Sequence, residues 1–230
     1  MLRVERLNAY YGRSHVVVDV SFHVDEGEIV ALLGRNGAGK TTTMAALMGF
    51  VRAGSRTLEL NGTRIDQLRT HARVRSGLGY VPQSGRVFSG LTVRENLDIV
   101  RGRRTSNGWS PERAFEAFPA LRGLAGRDAG FLSGGERQML AVARALMANP
   151  SVVLLDEPSE GLAPVVVQRL SELIKQLKEQ GIGVLVTEQN HRYALAMADR
   201  GYLMEKGRLR HEAPAAELVD SEELHRYLGV

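Results

Sequence analysis

Apolar and polar positions alternate most clearly in "HVVVDVSFHV", residues 15–24, where Val18, Val20, Phe22 and Val24 fall on one side of an extended chain and predict a half-buried strand. Asp25-Glu26-Gly27 supplies turn chemistry. The run "EIVALL", residues 28–33, is continuously apolar after its first residue, as expected of a strand covered on both faces. The two strands and the tight turn between them predict a small antiparallel element. "TLEL", residues 57–60, precedes Asn61-Gly62 and predicts a hairpin in the same lobe, because Asn and Gly accept the left-handed dihedrals of a two-residue turn.

Farther along, the period lengthens. A short strand "LGYV" is followed by a helix over about residues 92–100, and "PERAFEAFPAL" resumes helical spacing after the polar, glycine-containing stretch "RGRRTSNGWSP", the segment expected to be the most mobile part of the surface. "SGGERQMLAVARALMANP" reads as a capped helix stopped at Asn149-Pro150. Strand "VVLL", helix "PVVVQRLSELIKQLKEQG", strand "GVLVT" and one more helix then alternate, the pattern of a mostly parallel sheet with helices on both faces. Within the long helix, Val166, Val167, Leu170, Leu173, Ile174 and Leu177 recur at helical spacing and are expected in the core.

Composition narrows the picture. At 230 residues and 43% hydrophobic content the chain can build one substantial core with an appended lobe. The absence of cysteine excludes disulfides and thiol catalysis. Arg3, Glu5 and Arg6 stand where a signal peptide would need an apolar run, and no apolar stretch reaches the roughly 18 residues of a membrane span. The net charge of +4 comes from 30 scattered basic residues without a long block, so no nucleic acid is expected as a partner.

The chemistry-bearing motifs come next. "GRNGAGKT", from Gly34 through Arg35, Asn36, Gly37, Ala38 and Gly39 to Lys40 and Thr41, fits G-x-x-x-x-G-K-[ST] between a strand and a helix closed by Gly49. Glycines let backbone N–H groups turn inward around phosphate, and the following helix offers its positive end. Lys40 can reach the β- and γ-phosphates, Thr41 can hold magnesium, and Thr42 continues the nucleotide-binding set. In "VVLLDEP", Asp156 ends a buried strand where a carboxylate can face magnesium, and Glu157 can orient or deprotonate water if the chain leaves the strict alternation there. To this point a nucleoside kinase, a GTPase and an ATPase look alike. "LSGGERQ", residues 132–138, separates them: Ser133, Gly134, Gly135 and Glu136 open a second helix with a second anion-binding loop, though alone they would also serve as an ordinary helix cap.

Together these motifs resemble the ATP-binding-cassette family. The resemblance covers essentially the whole chain. It implies an α/β fold, a P-loop nucleotide-binding domain with a RecA-like mostly parallel core, an antiparallel β lobe and a helical signature subdomain. It also implies one domain over 1–230, with 1–80 and 151–230 giving the β lobe and catalytic core and about 84–148 the helical signature region. ATP and Mg2+ are the implied cofactors. Tyr11 resembles the aromatic that stacks on adenine, and Gln83 of "YVPQ" the glutamine that joins Thr41 and Asp156 around Mg2+ and reports to a membrane partner. Ser133 to Glu136 would act on ATP bound by a second, related ATPase subunit in a head-to-tail dimer. In "EPSEGLAP", Glu160 and Ala163 replace the more usual serine and aspartate.

The combination with "LTVREN" and "TEQN" is similar to the ATPase subunits of branched-chain amino-acid importers. That implies two transmembrane permease subunits, an extracytoplasmic solute-binding protein and a position on the inner face of the cell membrane. Urea, short amides and aromatic acids stay open as cargo, and so do a soluble ATPase of DNA repair or translation and a nonhydrolytic interaction module. The family carries a histidine after the strand that ends near Thr187. Counting back from Asp199 puts Gln189 at that position as a catalytic candidate, and His191 two residues on, at the start of the next helix.

Overall fold

The computed structural model describes residues 1–100 and 108–229. The first part of the expected mobile loop, 101–107, lies outside the described residues. The chain begins with β1 (Leu2–Tyr11), β2 (Ser14–Val24), β3 (Ile29–Leu33), α1 (Lys40–Met48), β4 (Arg52–Gly54), β5 (Thr57–Leu60), β6 (Thr63–Arg64), α2 (Thr70–Arg75) and β7 (Leu78–Val81). It continues through α3 (Val93–Asp98), α4 (Pro111–Ala117), α5 (Pro119–Arg122), a 3₁₀ turn (Ala129–Phe131) and α6 (Gly134–Leu146). The last part comprises β8 (Val152–Asp156), α7 (Pro164–Glu179), β9 (Gly183–Glu188), α8 (His191–Leu195), β10 (Arg200–Glu205), β11 (Arg208–Pro214), α9 (Ala215–Leu218) and α10 (Glu222–Leu228).

Two sheets organise these elements. A six-stranded sheet runs β11-β10-β3-β9-β8-β7, parallel except for β11, and an antiparallel sheet runs β2-β1-β5-β6 with β4 also on β1. Side-chain parity divides the buried strands between two cores. Ile29, Ala31, Leu33, Val153, Leu155, Val184 and Val186 face α6 and α7, whereas Val30, Leu32, Val152, Leu154 and Leu185 face α1 and the antiparallel lobe. Asp156 shares the parity of Val152 and Leu154, and therefore points toward α1. A one-residue slip of β8 would turn it away.

The structure departs from the expected hairpin of residues 15–24 with 28–33. β2 pairs with β1, while β3 enters the parallel sheet between β10 and β9. The apolar run of β3 needs cover on both faces, which a two-stranded ribbon cannot give. Asn61-Gly62 does turn β5 into β6, with φ of 52° and 74°. In α7, Leu170, Leu173, Ile174 and Leu177 are buried, but Val166 and Val167 near its start are only half-buried. The helical run of residues 111–121 is broken at Phe118-Pro119 into α4 and α5, since proline has no N–H to carry the ladder on. Among the described residues no helix is long and apolar enough to cross a membrane.

Candidate functional site

The loop from Gly34 to Lys40 links β3 to α1. Gly37 and Gly39 have φ of 78° and 113°, and a side chain at Gly34 would stand 2.6 Å from the Met204 carbonyl. These constraints turn the backbone around a cavity of about 340 Å³, lined by residues 36–42 with Val16, Gln83, Glu157, Glu160 and Gln189. Arg35 contributes only its backbone, with its guanidinium beside Gly229. The loop is braced from behind. Gly207 N–H, in the β10–β11 turn, donates to the Ala38 carbonyl at 2.8 Å, and its own carbonyl accepts from Val18 N–H at 2.8 Å.

Lys40 is 4% exposed; its Nζ donates to the Gly34 carbonyl at 2.8 Å and lies 3.1 Å from Glu157 Oε1. Glu157 sits here because of its backbone. Alternation would send its side chain to the α7 face, but φ is 45°, and this left-handed turn brings the carboxylate back over the loop. There it also receives Gln189 Nε2 at 2.5 Å and Gln83 Nε2 at 3.2 Å, while Gln83 contacts Glu160 as well. Residues of three separate segments, Lys40, Gln83 and Gln189, thus converge on one carboxylate.

Asp156 faces three hydroxyls: Thr41 and Thr187 donate to Oδ1 at 3.1 and 2.7 Å, and Tyr80 points to Oδ2 at 3.4 Å. Burial pushes its carboxyl above the ordinary range, and the neighbouring Glu157 charge adds to the effect. All three partners are neutral, so a divalent cation would offset the desolvation. Among the described residues no cluster of three or more acidic, His or Cys side chains forms a cage. One carboxylate and one hydroxyl oxygen instead fit Mg2+, which keeps most of its shell for water and phosphate oxygens.

Tyr11 is 52% exposed and lines the adjoining cavity with Thr41, Phe50 and Tyr80. Ser133, Gly134, Gly135 and Glu136 stand apart from the phosphate cavity on an exposed helix end. The structure shows the helix cap: Ser133 Oγ accepts Glu136 N–H at 3.3 Å and Glu136 accepts Ser133 N–H at 2.7 Å. His191 opens α8, is absent from the cavity lining and has its pKa lowered by partial burial and then by Arg192 and His225. Thr187 and Glu188 escaped the sequence reading, since a β-branched residue ending a strand reads as core. Burial raises the Glu188 carboxyl above its ordinary range, and it accepts Ser159 N–H at 3.0 Å.

A glycine cradle at a helix start, with a buried lysine and paired carboxylates at the end of β8, two strands across the sheet from β3, defines a P-loop nucleotide hydrolase. The profile of the ABC transporter family matches residues 17–160, and the chain belongs to that family as an ATP-binding and ATP-hydrolysing subunit. It is 41% identical to the high-affinity branched-chain amino acid transport ATP-binding protein BraG of Pseudomonas aeruginosa, covering 100% of each chain. It is also 41% identical to the lipopolysaccharide export system ATP-binding protein LptB of Escherichia coli K12, over 96% of this chain and 93% of that one. A crystallised ATP-binding cassette of an ABC transporter in its ADP conformation superposes with a TM-score of 0.84 at 27% identity, over 100% of this chain and 99% of the other. Cassettes of this family work in pairs with transmembrane partners to move material across a membrane.

Proposed function

We propose that this subunit powers import of branched-chain amino acids through two partner permeases, from the cytoplasmic face of the membrane, with an extracytoplasmic binding protein delivering the cargo. The observation that carries this reading is the end-to-end similarity to BraG, with LivF of Archaeoglobus fulgidus at 38% identity carrying the same assignment in its name. A second reading, lipopolysaccharide export, is favoured by the equal identity to LptB.

In this mechanism the whole chain is one cassette, with residues 84–148 as its helical signature region. Tyr11 stacks on adenine, the N–H groups of residues 36–42 hold the phosphates, and Lys40 neutralises charge on them. Thr41, Asp156 and Gln83 would hold Mg2+, which supplies further charge neutralisation when bound. Phosphate entry requires Lys40 to exchange Glu157 for phosphate oxygens. Glu157, released, orients the attacking water and takes its proton, while Gln189 hydrogen-bonds at the phosphate edge without becoming cationic. Ser133 to Gly135, capped by Glu136, close over nucleotide held by the related partner subunit. Gln83 and the following segment through Asn96 form the permease-facing surface, where Phe88 is 50% exposed under the Arg144 guanidinium.

The test is reconstitution in proteoliposomes with the permeases, the partner ATPase and the binding protein, measuring ATP-driven uptake. Leucine, isoleucine or valine uptake supports the proposal. Uptake restricted to urea, short amides or aromatic acids changes the cargo, and ATP-driven lipopolysaccharide extraction without uptake replaces it by the second reading.

A further inference from the structure

Thr187 ends β9 with no exposed surface and lies directly opposite Asp156 in the parallel ladder. Its hydroxyl donates to Asp156 Oδ1 at 2.7 Å and accepts from Glu157 N–H at 3.0 Å. Its carbonyl accepts the same N–H at 3.0 Å. A hydroxyl has one proton to give, and here it goes to the carboxylate. The two residues that differ in task but adjoin in sequence are therefore tied through one oxygen atom.

The tie matters because the geometry around it is unfavourable alone. A non-glycine residue in the left-handed region persists only where its surroundings enforce it, and Glu157 has φ of 45°. The two acceptors of Thr187 enforce it from one side. Glu188 adds a third restraint from the other face of β9 by accepting Ser159 N–H. For packing alone, valine would fill the same volume.

We propose that Thr187 is a positioning residue of the hydrolytic site: its hydroxyl aims the Asp156 carboxylate at Thr41, and the same oxygen fixes the turn that returns Glu157 to Lys40. The proposal rests on reading Asp156 as the Mg2+ carboxylate and Glu157 as the residue acting on water. It makes Mg2+ affinity and turnover depend together on one fully buried hydroxyl that does not line the phosphate cavity.

The experiment compares Thr187→Val with Thr187→Ser in the full chain. Mn2+ binding is followed by electron paramagnetic resonance at saturating nonhydrolysable ATP analogue, fluorescent-nucleotide affinity is measured in EDTA, and phosphate release is measured with Mg-ATP. Thr187→Val is expected to lose about 10–100-fold in both Mn2+ affinity and turnover. Its nucleotide affinity in EDTA stays that of wild type, and Thr187→Ser restores the losses. Wild-type Mn2+ binding by Thr187→Val, or equal losses in the valine and serine variants, overturns the proposal. If the valine variant does not fold, Thr187→Ala against Thr187→Ser makes the same comparison. Asp156→Asn in the same assays separates the underlying reading: unchanged Mn2+ affinity there refutes the metal assignment, whereas a defect there with a normal Thr187→Val refutes only the role of Thr187.

Discussion

Gly207 is the point where the C-terminal hairpin, the antiparallel lobe and the phosphate loop meet, and Gly207→Ala perturbs all three. Its φ is 78°, and an added Cβ would stand 2.0 Å from the Val16 carbonyl oxygen. The left-handed conformation costs an alanine about 1–2 kcal/mol. Relieving the clash moves the turn off its two 2.8 Å hydrogen bonds, to Ala38 and from Val18, at about 0.5–1.5 kcal/mol each. The expected loss is about 2–5 kcal/mol, or a fall in Tm of roughly 5–15 °C for a chain of this size. Gly62→Ala is the matched control, since Gly62 has φ of 74° with nothing within 4 Å of the added Cβ, and isolates the conformational cost. Thermal unfolding of both variants, with nucleotide binding at a temperature where both are folded, is the assay. Gly207→Ala should be the less stable and should bind nucleotide more weakly because Ala38 loses its brace. Equal Tm values for the two variants, with unchanged nucleotide affinity, would show that Gly207 does not brace the phosphate loop.

Other substitutions test separate parts of the site. Gln189→Ala should impair turnover in the assembled transporter more than His191→Ala, because of the two only Gln189 reaches Glu157; the reverse ranking in phosphate-release assays assigns the family's histidine position to His191 instead. Glu188→Gln keeps an acceptor for Ser159 and removes a buried charge. The raised carboxyl of wild type makes its ionisation a penalty that appears as pH rises through the folded-state pKa and is absent below 4.5, so the variant should gain Tm at pH 8 and lose that advantage in acid. A constant difference across pH would contradict this. Arg73 donates to the carbonyls of Ala46, Leu47, Asp66 and Leu68 around the end of α1, so Arg73→Lys, which cannot span them, should cost about 2–4 kcal/mol in denaturant unfolding.

The motifs that were legible in the sequence are contiguous. Gly34 to Thr41, Asp156-Glu157 and Ser133 to Glu136 each carry their geometry in a few adjacent residues, so glycine placement and strand or helix context suffice. What escaped depends on distant pairing. The β2–β3 turn looked like a hairpin because local turn chemistry does not reveal that β3 needs partners more than 150 residues away, in β9 and β10. The role of Thr187 depends on register with Asp156, and that of Gly207 on a carbonyl near residue 16. Glu160 was legible only as a departure from the family pattern. The structure gives it a partner, Gln83, that no spacing rule supplies.

In the proposed mechanism nucleotide holding and water activation belong to different residues of one cavity, Lys40 and Glu157. The direct measurement is ATP affinity and phosphate release side by side for wild type, Lys40→Ala and Glu157→Gln, using the full chain with its partner cassette. Lys40→Ala should weaken ATP binding strongly. Glu157→Gln should keep ATP affinity, accumulate the ATP-bound pair and lose about 10²–10⁴-fold in phosphate release. Equal loss of ATP affinity in both variants, or undiminished phosphate release by Glu157→Gln, would contradict it.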